Sequence, residues 1–481
     1  MRLTKKLNIV KFLSLPILLV SLFSCNTNKN ADKTKIYFWH TFGQNVVEEL
    51  SNKVEEFEKI IKENEGVDIS IELSYIGSYD DMLNQVNKGL AVGNTPTICV
   101  AYPDHVADYL SHESFDEEYV YNLENLMHDS KIGYGKNSYL GDDKDENDIV
   151  KAFFDESKAY LKDGIYSIPF MKSSEVLMYN KDIVDTKLLK AYDSTITNYD
   201  EYMSNLTWGQ FIDLLRFVKK DMDNGGKICG NNLEVPLIYD SDENLYISKS
   251  MQNKIPFISI KDGKGSLDFD NDEAKAMVTT LKGYYDEGLL KTKGSNNNEY
   301  GSYSFTEGKC LFTVGSSGGA GYNDPGEASF KVGVVKVPYD NNNPLYVSQG
   351  PTLTLLKSKG VSDEVNEFRK EYAWKFVKYI TNTENNADMC YLGSEGYIPI
   401  RESSYTSGYY KQYLDDADTF LARTSKVVVN DVNGRYLSTP AFKGSSAARD
   451  QVGAILANVF LGKYDVDKAF SEAKQLASLS M

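Results

Sequence analysis

Two clusters of reactive side chains could support catalysis, and both fail on spacing. Gly315-Ser316-Ser317-Gly318-Gly319 fits the G-x-S-x-G nucleophile elbow and follows an apolar run, Cys310 to Val314, as that motif requires. An elbow serine needs a histidine later in the chain, but His40, His105, His112 and His128 are the only four and all precede Ser317. The order of these residues therefore argues against acyl transfer. Metal chemistry fares no better. Cys99, Cys229, Cys310 and Cys390 show no C-x-x-C spacing. Two acidic stretches, from Asp143 and from Asp221, begin like calcium loops but put Phe154 and Asn232 where the closing glutamate belongs. No metal or cofactor is expected. Paired carboxylates of a secreted glycosidase remain the enzymatic alternative, because 69 acids supply many pairs. Whether Cys229 and Cys310 form a disulfide is left open by the sequence.

Cys25 carries chemistry of another kind. Arg2, Lys5, Lys6 and Lys11 precede an apolar run from Phe12 to Phe23. About twelve residues are too few for a bilayer core that needs roughly 20, and suit the h-region of an export signal. Leu22-Phe23-Ser24-Cys25 resembles the lipobox of bacterial lipoproteins, in which cleavage before the cysteine frees it for lipid attachment. Residues 1–24 are thus expected to be a signal peptide and 25–35, which lack any large apolar side chain, a lipid-anchored tether. The expected location is the extracytoplasmic face of the cell membrane. A net charge of −17 excludes nucleic acid as a partner and keeps a monomer soluble beside an anionic membrane.

The rest of the chain must position a site. Ile36 to Trp39 predicts a strand, and Val46, Leu50, Val54, Phe57 and Ile61 predict an amphipathic helix. Val67 to Leu73 alternates as a strand does, Met82 to Leu90 predicts a helix, and Thr97 to Ala101 another strand. Thr207-Trp208-Gly209-Gln210 is a capping box opening a helix. Strands are expected at Cys310 to Val314 and Val332 to Val337, and a helix at Val365 to Ile380. Asn137 to Asp148 is polar and predicts a surface insertion. Alternating strands and helices imply an α/β fold of doubly wound, mostly parallel sheets, with ligands bound beyond the carboxyl ends of the strands. Tyrosines, 34 against 3 tryptophans, offer rings that stack and hydrogen-bond together; Trp39 and Tyr102 are stacking candidates.

A series of segments gives this plan a family likeness. IYFWHTFG, GLAVGNTPTICVAYPDH, IPFMKSSEVLMYNKD, LTWGQFIDLL, SFTEGKCLF, FKVGVVKVP and GYIPIRES, in that order, resemble the extracellular solute-binding proteins of ABC importers, in the carbohydrate-binding family. The resemblance implies a two-lobed periplasmic-binding-protein fold of type II, no catalysis, and delivery of a ligand to ABC permease subunits. It implies lobe 1 from 36–150 and 303–355, and lobe 2 from 151–302 and 356–481.

The likeness is greatest to members that bind glycerol-3-phosphate. It implies ligand contacts at Tyr79, Ser173, Ser316, Gly350, Tyr397 and Arg449. Hydroxyls, a glycine N–H and one guanidinium would make a cage of donors suited to a phosphate. The acid that holds the polyol in those members falls on Pro103, with Asp104 beside it as the substitute, and their second-lobe tryptophan has no counterpart near Tyr239 to Ser241. The expected ligand is therefore a polyol phosphate or a sugar; an oligosaccharide-specific binder is the alternative within the same fold.

Overall fold

Every second side chain of Lys35–His40, namely Ile36, Phe38 and His40, is buried, and the strand forms because its apolar residues keep that period. The helix Gln44–Glu65 follows, burying Val46, Leu50, Val54, Phe57 and Ile61 along one stripe. It stops at Gly66, whose φ of 71° lets its N–H return to the Lys62 carbonyl. The computed structural model describes residues 33–114, 117–141, 144–326, 329–393, 395–406, 408–432 and 434–481. The signal peptide, Cys25 and most of the tether lie outside the described residues. Among the described residues, no helix is long and apolar enough to cross a membrane.

Two five-stranded sheets form the cores of two lobes. The first runs in the order Ser70–Tyr75, Lys35–His40, Ile98–Ala101, Thr352–Leu355, Ile168–Pro169. The second runs Val332–Lys336, Glu175–Asn180, Cys310–Ser316, Val235–Tyr239, Leu290–Thr292. Each sheet has two parallel pairings on one side and two antiparallel on the other.

Strand pairing redraws the expected lobe boundaries. Cys310–Ser316 and Val332–Lys336, expected in lobe 1, pair with Glu175–Asn180 in the second sheet. Ile168–Pro169, expected in lobe 2, pairs with Thr352–Leu355 in the first. The helix Asp363–Ile380, also expected in lobe 2, packs Phe376 edge-on against Phe38 and Phe57 of the first lobe, and its Lys375 holds Glu65 at 2.9 Å. Periodicity tells a segment that it has an apolar face; it does not say which of two cores will take that face.

Three crossing segments join the lobes and interlock. Lys172 exchanges both backbone hydrogen bonds with Ile398, at 3.0 and 2.8 Å, and Ser173 does the same with Gln349, at 3.0 and 2.9 Å. Gly350 passes so close that a Cβ there would lie 2.2 Å from the Met171 carbonyl oxygen, and its φ is +96°. Only glycine meets both conditions.

The described residues of the polar stretch 137–148 are fastened down at three points. Lys378 Nζ donates to Asn137 Oδ1 at 2.8 Å, Asn382 Nδ2 to the Leu140 carbonyl at 3.0 Å, and the fully buried Arg401 to the Asp145 carbonyl at 2.8 Å. The carboxylate of Asp221 accepts N–H bonds from Ile228 and Cys229, closing a turn. Cys229 and Cys310 are both buried and free, so the open question of a bridge between them is answered in the negative.

Candidate functional site in the cleft between the lobes

A cavity of about 980 Å³ lies between the two sheets. Its walls are built where the sheet rule places a ligand, at the carboxyl ends of strands. Tyr102, Pro103 and Asp104 follow Ile98–Ala101; Asp240, Ser241 and Asn244 follow Val235–Tyr239; Lys293 follows Leu290–Thr292; Gly315 and Ser316 end Cys310–Ser316. The crossing segments supply Lys172, Ser348, Gln349 and Gly350.

At the crossing, Lys172 Nζ donates to Glu156 Oε2 at 2.7 Å and to the Gly350 carbonyl at 3.3 Å. The two side chains are 1% and 2% exposed. Such a pair is held in a low-dielectric setting, where removing one partner strands the other's charge.

Glu175 begins its strand on the second-lobe side, 5% exposed. Tyr239 Oη donates to its Oε2 at 2.7 Å and Ser248 Oγ at 3.4 Å. Burial pushes this carboxyl up to about 7, against the hydrogen bond from Tyr239 and the positive charge of Arg449. Asp240 accepts the Gly301 N–H at 2.5 Å; burial raises it to about 6, opposed by that bond and by Lys293. Five buried oxygens of cavity-lining residues make no hydrogen bond: Glu156 Oε1, Glu175 Oε1, Asn323 Oδ1, Ser348 Oγ and Gln349 Oε1. All can accept, and the amide oxygens of Asn323 and Gln349 can only accept. Six acids line the cavity (Asp104, Glu156, Glu175, Asp240, Glu243, Asp324) against three bases (Lys172, Lys293, Arg449).

Of the residues expected to bind ligand, Asp104, Ser316, Gly350 and Arg449 line the cavity. Arg449, on the helix Ser445–Phe460, donates to Asn244 Oδ1. Ser316 Oγ accepts the Gly318 N–H at 3.2 Å, capping a short turn, and donates to Ser173 Oγ at 3.3 Å. Ser173, Tyr79 and Tyr397 stand one layer back. The Tyr79 ring lies 4.3 Å from that of Tyr102, which does line the cavity, and Tyr397 packs under Gly318, where a Cβ would meet its ring at 2.6 Å. Burial raises the phenols of Tyr79 and Tyr397 well above the usual range, and that of Tyr102 to about 12. Trp39 packs against the core.

Sequence reasoning missed the most open aromatic rings of the site. Tyr300, Tyr303 and Tyr322 line the cavity at 49, 67 and 73% exposure. Tyr300 and Tyr303 are three apart at the start of the helix Gly301–Thr306, and that spacing was their signal. Lys172 and Glu175, charged residues on either side of Ser173-Ser174 between two apolar runs, were the signal for the crossing.

The profile of bacterial extracellular solute-binding proteins matches residues 53–417. No curated protein matches the sequence closely enough to count as a relative. Among solved structures, the cyclic α-maltosyl-1,6-maltose binding protein of Arthrobacter globiformis superposes with a TM-score of 0.64 at 14% identity, over 93% of this chain and 98% of that one. UgpB of Mycobacterium tuberculosis, solved with glycerophosphocholine, gives 0.64 at 19% identity over 92% and 98%. The maltose/maltodextrin-binding domain MalE of Bdellovibrio bacteriovorus, bound to maltotriose, gives 0.62 at 17% identity over 92% and 99%. At these identities the likeness is one of fold.

Proposed function

Since the chain belongs to the bacterial extracellular solute-binding proteins, it works outside the cytoplasm by binding and not by catalysis, and we propose that it serves an ABC importer as a lipid-anchored receptor for an oligosaccharide. The anchor is Cys25, after removal of residues 1–24. The ligand sits between the lobes, and their closure over it is the state the permease receives. Contacts from both walls stabilise the closed form over the open one, and only that difference shifts the population.

The observation that carries the oligosaccharide is the group of open rings in the cavity wall, Tyr300, Tyr303 and Tyr322. Acids outnumber bases around them, so the wall suits a ligand that brings hydrogen-bond donors. Sugars bring many hydroxyls; a phosphate brings mainly acceptors. The volume of about 980 Å³ stands at the upper end for small-molecule sites and exceeds what a single glycerol phosphate fills. The open tyrosine rings offer faces for sugar rings.

A second reading, a glycerol-phosphate-like ligand, draws on Arg449 and Ser316 in the wall. The acids that outnumber the bases there weigh against an anion.

A thermal-shift screen with maltotriose, cellotriose, the β-1,4 glucosamine trimer, glycerol-3-phosphate and glycerophosphocholine separates the two. At one hundred times Kd a ligand stabilises by about 2.7 kcal/mol. The expected result is stabilisation by at least one trisaccharide and none by glycerol-3-phosphate. Stabilisation by the phosphates alone would replace the first reading with the second.

A further inference from the structure

The helix Ser445–Phe460, which carries Arg449 to the cavity, packs against the helices Asp242–Asn253 and Asp272–Asp286 and so belongs with the second lobe. A helix start leaves backbone N–H groups without intrahelical partners, and an oxygen-bearing side chain at the N-cap normally takes one of them. Here the N-cap is Gly444, which has no side chain to offer. Its own N–H goes instead to Oδ1 of Asp108, at 3.2 Å. Asp108 sits on the helix Pro103–Leu110 of the first lobe, one turn beyond the cavity-lining Asp104. The carboxylate that serves this helix start therefore comes from the other lobe, and the partial positive charge of the helix start favours it there.

A second bond between the lobes lies three residues earlier. The Ala441 N–H donates to the Ala159 carbonyl at 2.8 Å. Ala159 lies between the helix Lys151–Glu156 and the first-sheet strand Ile168–Pro169, and Tyr160 beside it shares a hydroxyl hydrogen bond with Ser167 at 2.8 Å. Between the two donors, Phe442 packs on the second lobe. It is 1% exposed and lies so close over Gly265, on the strand Lys264–Leu267, that a Cβ there would meet its ring at 2.1 Å. The segment 441–444 is thus fixed to the second lobe by a side chain and bonded to the first by its backbone. Ser438 and Thr439 just before it line the cavity, as does Ala441 itself.

Neither bond belongs to the crossing, whose backbone pairings of Lys172 with Ile398 and Ser173 with Gln349 persist whether the cleft is open or shut. Bonds made elsewhere between the lobes need the lobes together. We propose that the segment 441–444 is a latch that holds the cleft shut, and that Asp108 is its positioning residue. In the closed state Asp108 caps the helix of Arg449, which sets Arg449 and Asp104 on facing sides of one cavity. A ligand then meets a cleft already biased toward closure, and its apparent affinity rises with the fraction of molecules that are closed. The latch rests on closure of the two lobes, whichever ligand they close on.

Hydrogen exchange read amide by amide, together with small-angle scattering, tests the latch on the ligand-free full chain. Asp108→Leu keeps the size of the side chain but not the acceptor, and Asp108→Asn keeps an acceptor oxygen. In Asp108→Leu the amides of both Gly444 and Ala441 are expected to exchange at least tenfold faster than in the parent, with a larger radius of gyration. Amides in the middle of the helix Ser445–Phe460 should keep their protection. Asp108→Asn is expected to stay within threefold of the parent at both amides. Faster exchange at Gly444 alone, or an unchanged radius of gyration, would reduce Asp108 to a helix cap and overturn the latch. No change at Gly444 would overturn it too, as would lost protection through the whole helix with a lowered thermal transition in both variants.

Discussion

On the first-lobe wall the cavity meets Tyr102, Pro103 and Asp104, consecutive residues that open one helix. On the second-lobe wall it meets Asp240, Asn244, Tyr303, Tyr322 and Arg449, each from a different loop, helix or turn. The crossing between the walls contributes a buried ion pair and unpartnered amide and hydroxyl oxygens. The difference assigns separate work to each part. A wall assembled from many elements can shape itself to a ligand and hold it while the cleft is open. A wall of three residues adds little affinity but decides whether the cleft shuts. The crossing must keep its geometry in both states, and the interlocked backbones of Lys172 with Ile398 and Ser173 with Gln349 supply that.

The largest effect is expected at the crossing. Lys172→Met leaves Glu156 charged and buried, a loss of about 3–5 kcal/mol, a large fraction of a typical domain's stability. Urea unfolding should show a lower midpoint, and Lys172→Met with Glu156→Gln should regain most of it, because the stranded charge is gone. A single variant as stable as the parent would mean that the pair is not what fixes the crossing.

Next comes the second-lobe wall. Hydrogen bonds to a charged group are worth roughly 1.5–3 kcal/mol, so Arg449→Ala should raise Kd by about one to two decades. Arg449→Lys should restore little, since an ammonium does not reproduce the planar fork. The first-lobe change Asp104→Ala should cost less than Arg449→Ala, with its effect concentrated in closure. Small-angle scattering should then show a smaller ligand-induced fall in radius of gyration for Asp104→Ala than for the parent. An Asp104 loss equal to that of Arg449 would erase the contrast between the walls.

The smallest expected effect is a slope with pH. Glu175 titrates near 7 in the fold against 4.5 when exposed. Between those values the folded state keeps a proton that the unfolded state has lost, so this group's contribution to stability falls as pH rises through that window. The bound is about 1.4 kcal/mol per pH unit. His40, which burial lowers to about 4, acts in the opposite sense, its contribution being lost as pH falls below about 6.5. Comparing the ligand-free parent with Glu175→Gln cancels His40. The parent should lose stability more steeply from pH 5 to 7, and parallel curves would contradict the shift.

Much of this was legible in the sequence because it is local. The strand at Ile36 to Trp39, the stripe from Val46 to Ile61 and the capping box at Thr207 and Gln210 all depend on residues within a few turns of one another, and each is present. Lobe membership was not legible, because Cys310–Ser316 and Asp363–Ile380 could bury their apolar faces against either sheet. The site divides similarly. Asp104, Ser316, Gly350 and Arg449 reach the wall, but Gly350 is fixed first by its approach to Met171, whatever it does for a ligand. Tyr79, Ser173 and Tyr397 follow motifs that position the wall from behind. Tyr322 became visible only once the sheets had brought distant strands to one cleft.

Tyr300 and Tyr303 give the most direct test, because their exposure means that truncation should leave the fold intact. Each ring can cover about 50 Å² of a sugar, worth ~1 kcal/mol. In a calorimetric titration with the best saccharide from the screen, the parent should bind one equivalent. The double variant Tyr300→Ala, Tyr303→Ala should bind at least tenfold more weakly with an unchanged thermal transition. Unaltered affinity in that variant, or no saccharide binding to the parent, would contradict an oligosaccharide held on the second-lobe wall.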